Sequence, residues 1–328
     1  MNKLADRIIG LTAGIGMVVL IIDCRSAISA AADGIELCIR TLIPSLFPFL
    51  FLCGMLSSSL SGRSLVFLRP LARICRLPEG SEYIFLSGLI GGYPVGAISI
   101  AEAHRSGSLT TSDARRMLAF CNNCGPAFLF GVSAVLFDAY WVPWVLLAIH
   151  IVSAIGVAVI IPGDPCHFSK RKKAHISPVG ALNQAVRSMA SICGWVIIFR
   201  ILLDFLLRWI GWYFPEEIQV AISGLLELSN GCLGLVSIEN VRLRLILCAG
   251  ILGFGGLCVT MQTLSVAKNV PKDLYFPGKL LHCCISISLA SALCASPMGI
   301  LPGFIGTVLA IFLRNRQKIC RNIRIIDV

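Results

Sequence analysis

Charge is what this chain has least of. Asp, Glu, Lys and Arg together make 14% of its 328 residues, against about 25% in soluble domains. Hydrophobic residues make 56%, and the mean hydropathy is +0.84. This excludes disorder, a coiled coil and an ordinary water-soluble enzyme fold. Catalytic signatures are missing too. There is no H-E-x-x-H, no G-x-x-x-x-G-K-[ST] phosphate loop and no G-x-S-x-G elbow. The sequence therefore offers no catalytic residue, no ATP-driven pump, and no cofactor or metal.

Acidic residues are scarcer than basic ones, 17 against 28, for a net charge of +11. In a soluble protein that excess would suggest nucleic acid. Here the basic residues lie between apolar runs, as they do in cytoplasmic loops of membrane proteins, so no nucleic-acid partner is expected. Cysteine is not scarce. Its count of 15 is odd, and Cys53, Cys193, Cys248, Cys258 and Cys294 sit inside apolar runs, where a thiol acts as a small hydrophobe. That argues against a disulfide scaffold. Cys121 and Cys124 form a C-x-x-C with no second ligand pair, so neither a redox nor a zinc role is expected.

What is present is a series of apolar runs, each near the roughly 20 residues a bilayer span requires. They cover about 8–22, 39–58, 117–137, 141–161, 189–210, 245–266, 280–295 and 300–313. The first reads as a retained span rather than a cleaved signal peptide. The fourth opens on Trp141 and Trp144, where interfacial aromatics belong. The expected class is an all-α polytopic membrane protein with about eight transmembrane helices, both termini cytoplasmic, in contact with the lipid bilayer.

Two further apolar stretches are interrupted: 83–101 by Gly91-Gly92-Tyr93-Pro94-Val95-Gly96, and 218–238 by Glu227, Ser229, Asn230 and Gly231. Gly and Pro release backbone groups from a helix. In hydrocarbon such groups must be buried in protein or line a watery cavity. Charge decides between crossing and re-entry. Arg63, Arg69, Arg73 and Arg76 precede the first stretch, and Arg105, Arg115 and Arg116 follow it. Re-entry keeps both groups inside, as the positive-inside rule prefers. Re-entry of the second stretch leaves Glu216, Glu217, Arg242 and Arg244 outside. It places Lys268, Lys272, Lys279 and the basic tail from Arg314 inside.

The halves echo each other. LSGL at 86–89 matches ISGL at 222–225, IRTL at 39–42 matches VRSM at 186–189, and Cys124-Gly125 meets Gly255-Gly256. Each half reads span, broken segment, span, span, entered from opposite sides, which is the inverted-repeat design of many transporters. The expected organisation is an N-terminal transmembrane helix over 1–30 and a first gate-like repeat over 31–162. A basic linker over 163–180 leads to a second repeat over 181–296, then a last helix and basic tail over 297–328.

Four polar clusters interrupt the apolar surroundings and are the candidate solute-binding residues. They are Gly91, Gly92, Tyr93, Pro94 and Gly96; Asn122, Asn123, Gly125 and Pro126; Glu227, Ser229 and Asn230; and Gly255, Gly256, Thr260 and Gln262. Unwound backbone and Asn side chains offer donors and acceptors to a polar solute. Close helix packing and interhelical hydrogen bonding are the competing uses of the same residues. Glu227 is the most pointed, because an ionisable group in a membrane segment is costly. Arg200, Asp204 and Arg208 share a helix face, with Asp204 able to pair with either arginine. His150 and His282 read as lone structural histidines.

The runs LSGLIGGYPVGA at 86–97, FCNNCGPAF at 120–128, IPSLFPF at 43–49, LELSNG at 226–231 and GFGGLCV at 253–259 resemble the YlbJ-type sporulation integral membrane proteins, over roughly residues 30 to 295. That family carries the nucleoside-recognition, or gate, domain label and is similar to concentrative nucleoside transporters. The resemblance implies re-entrant hairpins, inverted repeats, a bacterial inner membrane and a role in spore formation, without fixing nucleoside as substrate. Cys124 and Cys258 stand where Ser is expected in the family, and Thr260 where His is. Two functions follow as expectations. One is a secondary transporter for a small polar solute, with homo-oligomers compatible. The other is a non-transporting scaffold or assembly factor for the spore envelope.

Overall fold

The computed structural model describes residues 3–60, 65–161, 163 and 177–326; most of the basic linker, 164–176, lies outside them. Among the described residues the chain is all helix and turn. It is a multi-pass integral membrane protein. Among the described residues six helices are long and apolar enough to span a bilayer, and short helices are inserted between them.

After α1 (Lys3–Ile22), α2 (Cys24–Leu37) and α3 (Ile43–Leu60) run on through one widened turn, Cys38–Leu42. That turn falls just before Pro44, whose missing N–H cannot continue the helical ladder. The span expected over 39–58 therefore begins at Cys24. Beyond α4 (Arg69–Ile74), α5 (Glu82–Ile90) stops at Gly91-Gly92 and α6 (Val95–Arg105) starts after Pro94. Gly92 has φ +72°, a backbone conformation that glycine adopts freely. The two helices lie side by side, with the Ser87 and Ser99 hydroxyls 3.2 Å apart. This is a hairpin, not a crossing, as the charge pattern indicated.

α7 (Thr111–Leu118) is capped by Thr110, which accepts from the Asp113 amide. It gives way to non-helical chain before α8 (Pro126–Leu136) begins with Pro126 in its first turn. The run expected as one span over 117–137 is thus a broken helix. α9 (Val142–Ile160) follows, then α10 (Pro178–Ile210). The second hairpin, α11 (Glu216–Leu226) and α12 (Leu228–Gly234), breaks at Glu227 alone. Ser229, Asn230 and Gly231, expected in the interruption, are helical. α13 (Val241–Phe254) and α14 (Gly256–Val266) form the second broken helix, hinged on Gly255 and Gly256 at φ +84° and +81°. α15 (Tyr275–Leu293) and α16 (Ile300–Ile326) complete the chain.

Hydrogen bonds sort the helix ends onto two faces. On one, Arg116 donates to the carbonyls of Cys75 and Arg76 after α4, and to those of Ala158 and Ile161 at the end of α9. Arg115 pairs with Asp273 ahead of α15, and Gln184 of α10 bonds Glu102 of α6. On the other, Arg244 of α13 donates to Leu136 at the end of α8 and to Ile238 beyond α12. Arg208 near the end of α10 pairs with Asp23 ahead of α2. The hairpins therefore enter from opposite faces. Trp141, Trp144, Trp209 and Trp212 are exposed on the second face, as an interfacial belt requires.

Candidate functional site

Each hairpin tip rests on the break of the helix that follows it. In the first half the contact is backbone against backbone. A Cβ on Gly125 would stand 3.0 Å from the Gly92 Cα, and one on Gly96 would stand 3.0 Å from the Asn122 Cα. Only hydrogen at these positions permits so close an approach. In the second half a Cβ on Gly256 would lie 3.1 Å from the Leu228 nitrogen and 3.3 Å from the Gly224 and Leu226 oxygens. The first cluster thus meets the second, and the third meets the fourth.

Tyr93 joins the two pairs. Its hydroxyl donates to the Leu252 carbonyl at 3.3 Å, and a Cβ on Gly255 would stand 2.8 Å from that oxygen. Lys279 reaches the same point from α15. Its ammonium donates to the Tyr93 hydroxyl at 2.7 Å and to the Asn122 carbonyl at 3.2 Å, and lies 4.8 Å from the centre of the Tyr93 ring. Asn122 Oδ1 accepts from the Ala97 amide, and its Nδ2 donates to the Thr263 hydroxyl, which also accepts from Tyr275. Lys279 is 1% exposed and has no carboxylate within ion-pair distance among the described residues.

This corrects the sequence reading twice. Lys279, grouped there with the loop residues Lys268 and Lys272, is a buried member of the central network, because α15 begins five residues before the expected span. His150 and His282 are not lone. Their rings meet at 4.5 Å, with His282 Nε2 and His150 Nδ1 3.2 Å apart, and Ser286 donates to Ser153 beside them. A signal was available: His150 and His282 are 132 positions apart, Ser153 and Ser286 133, Gly125 and Gly255 130.

The remaining candidates make other contacts, Thr260 facing Tyr275 of the network as well. Glu227 caps α12, its Oε2 accepting from the Asn230 amide and side chain at 2.7 and 2.8 Å. Asn230 Oδ1 in turn accepts from Arg200, which pairs with Asp33 of α2. Arg200 therefore turns away from Asp204, which pairs with Arg208. Ser229 is buried on the same short helix. Thr260 donates to its own helix at Gly256, and Gln262 to Cys258. Asn123 bonds the Phe120 carbonyl, while its buried Oδ1 has no partner among the described residues. Pro126 opens α8. Cys121 and Cys124 are free buried thiols. Below the first tip, a cleft of about 20 Å³ among α3, α6 and α10 is lined by Cys53, Ser99, Glu102 and Gln184. That is room for about one water.

No family model and no solved structure matches the chain. Among curated proteins it is similar to the sporulation integral membrane protein YlbJ of Bacillus subtilis (strain 168), at 24% identity over 292 aligned residues that cover 75% of this chain and 71% of that protein. The resemblance to YlbJ-type sporulation membrane proteins, first visible in the glycine-rich and asparagine motifs, is thereby borne out along three quarters of the chain.

Proposed function

We propose that this protein is a secondary carrier, not an enzyme, that moves a small polar solute bearing a negative group through a site at mid-membrane. The observation that carries this reading is the meeting of the first hairpin tip and both helix breaks around the buried Lys279, with the second tip, entered from the opposite face, packed on the second break. Broken helices meeting at the midplane are a carrier arrangement. A buried lysine with no carboxylate at hand among the described residues offers a donor that an anionic group would pair, and unpaired charge in a membrane interior is expensive. The positive-inside rule supports a cytoplasmic assignment for the face bearing Arg69, Arg73, Arg76, Arg105 and Arg115, hence for both termini of the spans, in a bacterial inner membrane. The name of the YlbJ relative supports a use in spore formation.

The test is uptake into proteoliposomes with nucleosides, dipeptides, small carboxylates and metal cations, beside Lys279→Gln. The expected result is saturable uptake of an anionic member of the panel, lost in the variant. The second reading, a scaffold that keeps the architecture without transport, is favoured by the closed packing of both tips. Uptake of nothing in the panel, with full cellular function of Asn122→Leu, would establish the scaffold instead.

A further inference from the structure

Arg69, Arg73 and Arg76 stand on and just after α4, four and three positions apart, so they share one side of it. The chain turns back at once. The Ser81 amide and hydroxyl both donate to the Pro78 carbonyl, at 3.0 and 2.7 Å, and α5 begins with Glu82. That turn brings Glu82 into one cleft with the three arginines, about 430 Å³ in volume. The size is that of a small-ligand site. It lies on the face anchored by Arg116 and shares no residue with the network around Lys279.

Three features of this cleft have no use in the fold. Glu82 is 2% exposed, and its Oε2 accepts no hydrogen bond among the described residues. Arg73 and Arg76 line the same space, yet among the described residues neither comes within ion-pair distance of Glu82 or any other carboxylate; Glu79 stands by Arg69 instead, at 3.9 Å. Arg76 takes φ +49° at a helix end, where glycine is the usual residue. Its carbonyl is held there by Arg116 at 3.0 Å. A left-handed backbone disfavours any side chain, so the guanidinium sits here against local preference.

A buried carboxylate and two guanidinium groups are thus kept apart across one cleft. A molecule that carries both signs matches them. We infer that the cleft binds a phosphate ester with a primary ammonium on a short arm, the phosphate on Arg73 and Arg76 and the ammonium on Glu82 Oε2. Planar guanidinium forks fit phosphate oxygens in pairs. An ammonium brings the N–H donors that a buried carboxylate requires. A quaternary ammonium has no N–H and fails at that end. Two sources present this chemistry, the headgroup of phosphatidylethanolamine and free phosphoethanolamine. Val66, Phe67 and Ile74 of the same segment are exposed apolar residues. They set the cleft at the membrane surface, among headgroups. The inference does not rest on the carrier reading.

The test uses the full-length protein in nanodiscs of equal parts phosphatidylcholine and phosphatidylethanolamine, with retained lipids counted by native mass spectrometry. Phosphatidylcholine offers the phosphate without an N–H. Retention of phosphatidylethanolamine is expected to exceed it by about tenfold, the worth of one hydrogen bond to a charged group. Glu82→Met keeps the length, removes the acceptor and should abolish the preference. Arg76→Gly should lower retention of phosphatidylethanolamine by about tenfold as well. It should leave thermal stability unchanged or raised, since glycine suits the left-handed backbone, and so separates binding from folding. In a second arm, free phosphoethanolamine is titrated into phosphatidylcholine nanodiscs and followed by ³¹P NMR. Saturable binding that both variants lose assigns the soluble source; no binding there, with the lipid preference present, assigns the headgroup. Equal retention of the two lipids with no binding of the free compound overturns the proposal. So does a preference that survives in both variants. If Glu82→Met does not fold, Arg76→Gly decides alone.

Discussion

The Lys279 ammonium lies 2.7 Å from the Tyr93 hydroxyl, so a lysine of the second half is held by the hairpin tip of the first. The hydroxyl passes the bond on to the Leu252 carbonyl. Tyr93→Phe removes both links while keeping the ring under the ammonium. A hydrogen bond to a charged group contributes about 1.5–3 kcal/mol, and a loss of that order is expected from unfolding in detergent. In the double variant with Lys279→Met the loss should fall short of the sum, since the two residues share one interaction. Strict additivity would mean that the lysine is satisfied elsewhere.

Arg116 holds four carbonyls from the ends of α4 and α9. Lysine offers a point charge where the planar fork spans several acceptors. Arg116→Lys should cost about 2–3 kcal/mol, because at least two carbonyls are left bare. Cys75 provides a readout. Burial pushes its thiol up to about 11, with Arg116 only partly opposing, so at neutral pH the folded protein keeps it unreactive. Maleimide labelling of Cys75 should be negligible in the wild type and measurable in the variant. Fast labelling of both would show that this face is not packed as described.

Gly231 of α12 meets the backbone of Gly224 in α11, and a Cβ there would overlap Gly224 and lie 3.2 Å from the Ser223 carbonyl carbon. Neither backbone can yield as a side chain would. Gly231→Ala is therefore expected to destabilise by about 3 kcal/mol, at the upper end of overpacking costs. Gly131→Ala, at a site with nothing within 4 Å, should be close to neutral. Equal effects in a thermal-stability assay would contradict the tight second hairpin.

Glu227 serves the N-terminus of α12. Glu227→Ala leaves the Asn230 amide without its acceptor and should cost about 1–2 kcal/mol, the usual worth of a cap. Glu227→Gln retains an oxygen for that amide and should recover most of it. If both variants are equally unstable, the carboxylate charge itself, through Asn230 and Arg200, carries the effect.

Most of the long spans and both hairpins were legible because they rest on period, charge and Gly/Pro placement, which act locally. The break at residues 121–125 was read as continuous span, since its asparagines and cysteines interrupt no long apolar count. Lys279 was hidden by position. At the edge of an apolar run, beside Lys268 and Lys272, it looks like a loop residue, and only the turn begun at Tyr275 carries it inside. The histidine pair was hidden by distance along the chain. Residues 132 apart meet only because the halves fold back on each other, and no ligand spacing announces that. Arg200 was assigned to its own helix because the i, i+4 rule sees nothing beyond it, whereas Asp33 and Asn230 come from other elements.

Breaking helices inside the bundle strands buried peptide groups, and four buried titratable side chains answer that need. His150 takes the Cys124 amide, Lys279 the Asn122 carbonyl, Tyr93 the Leu252 carbonyl and Glu227 the Asn230 amide. These side chains are prosthetic pieces of main chain. Replacing one by a hydrocarbon group strands a peptide dipole, and mending the helix instead strands the side chain. Neither change is tolerable alone, so each broken segment and its ionisable partner must be redesigned together.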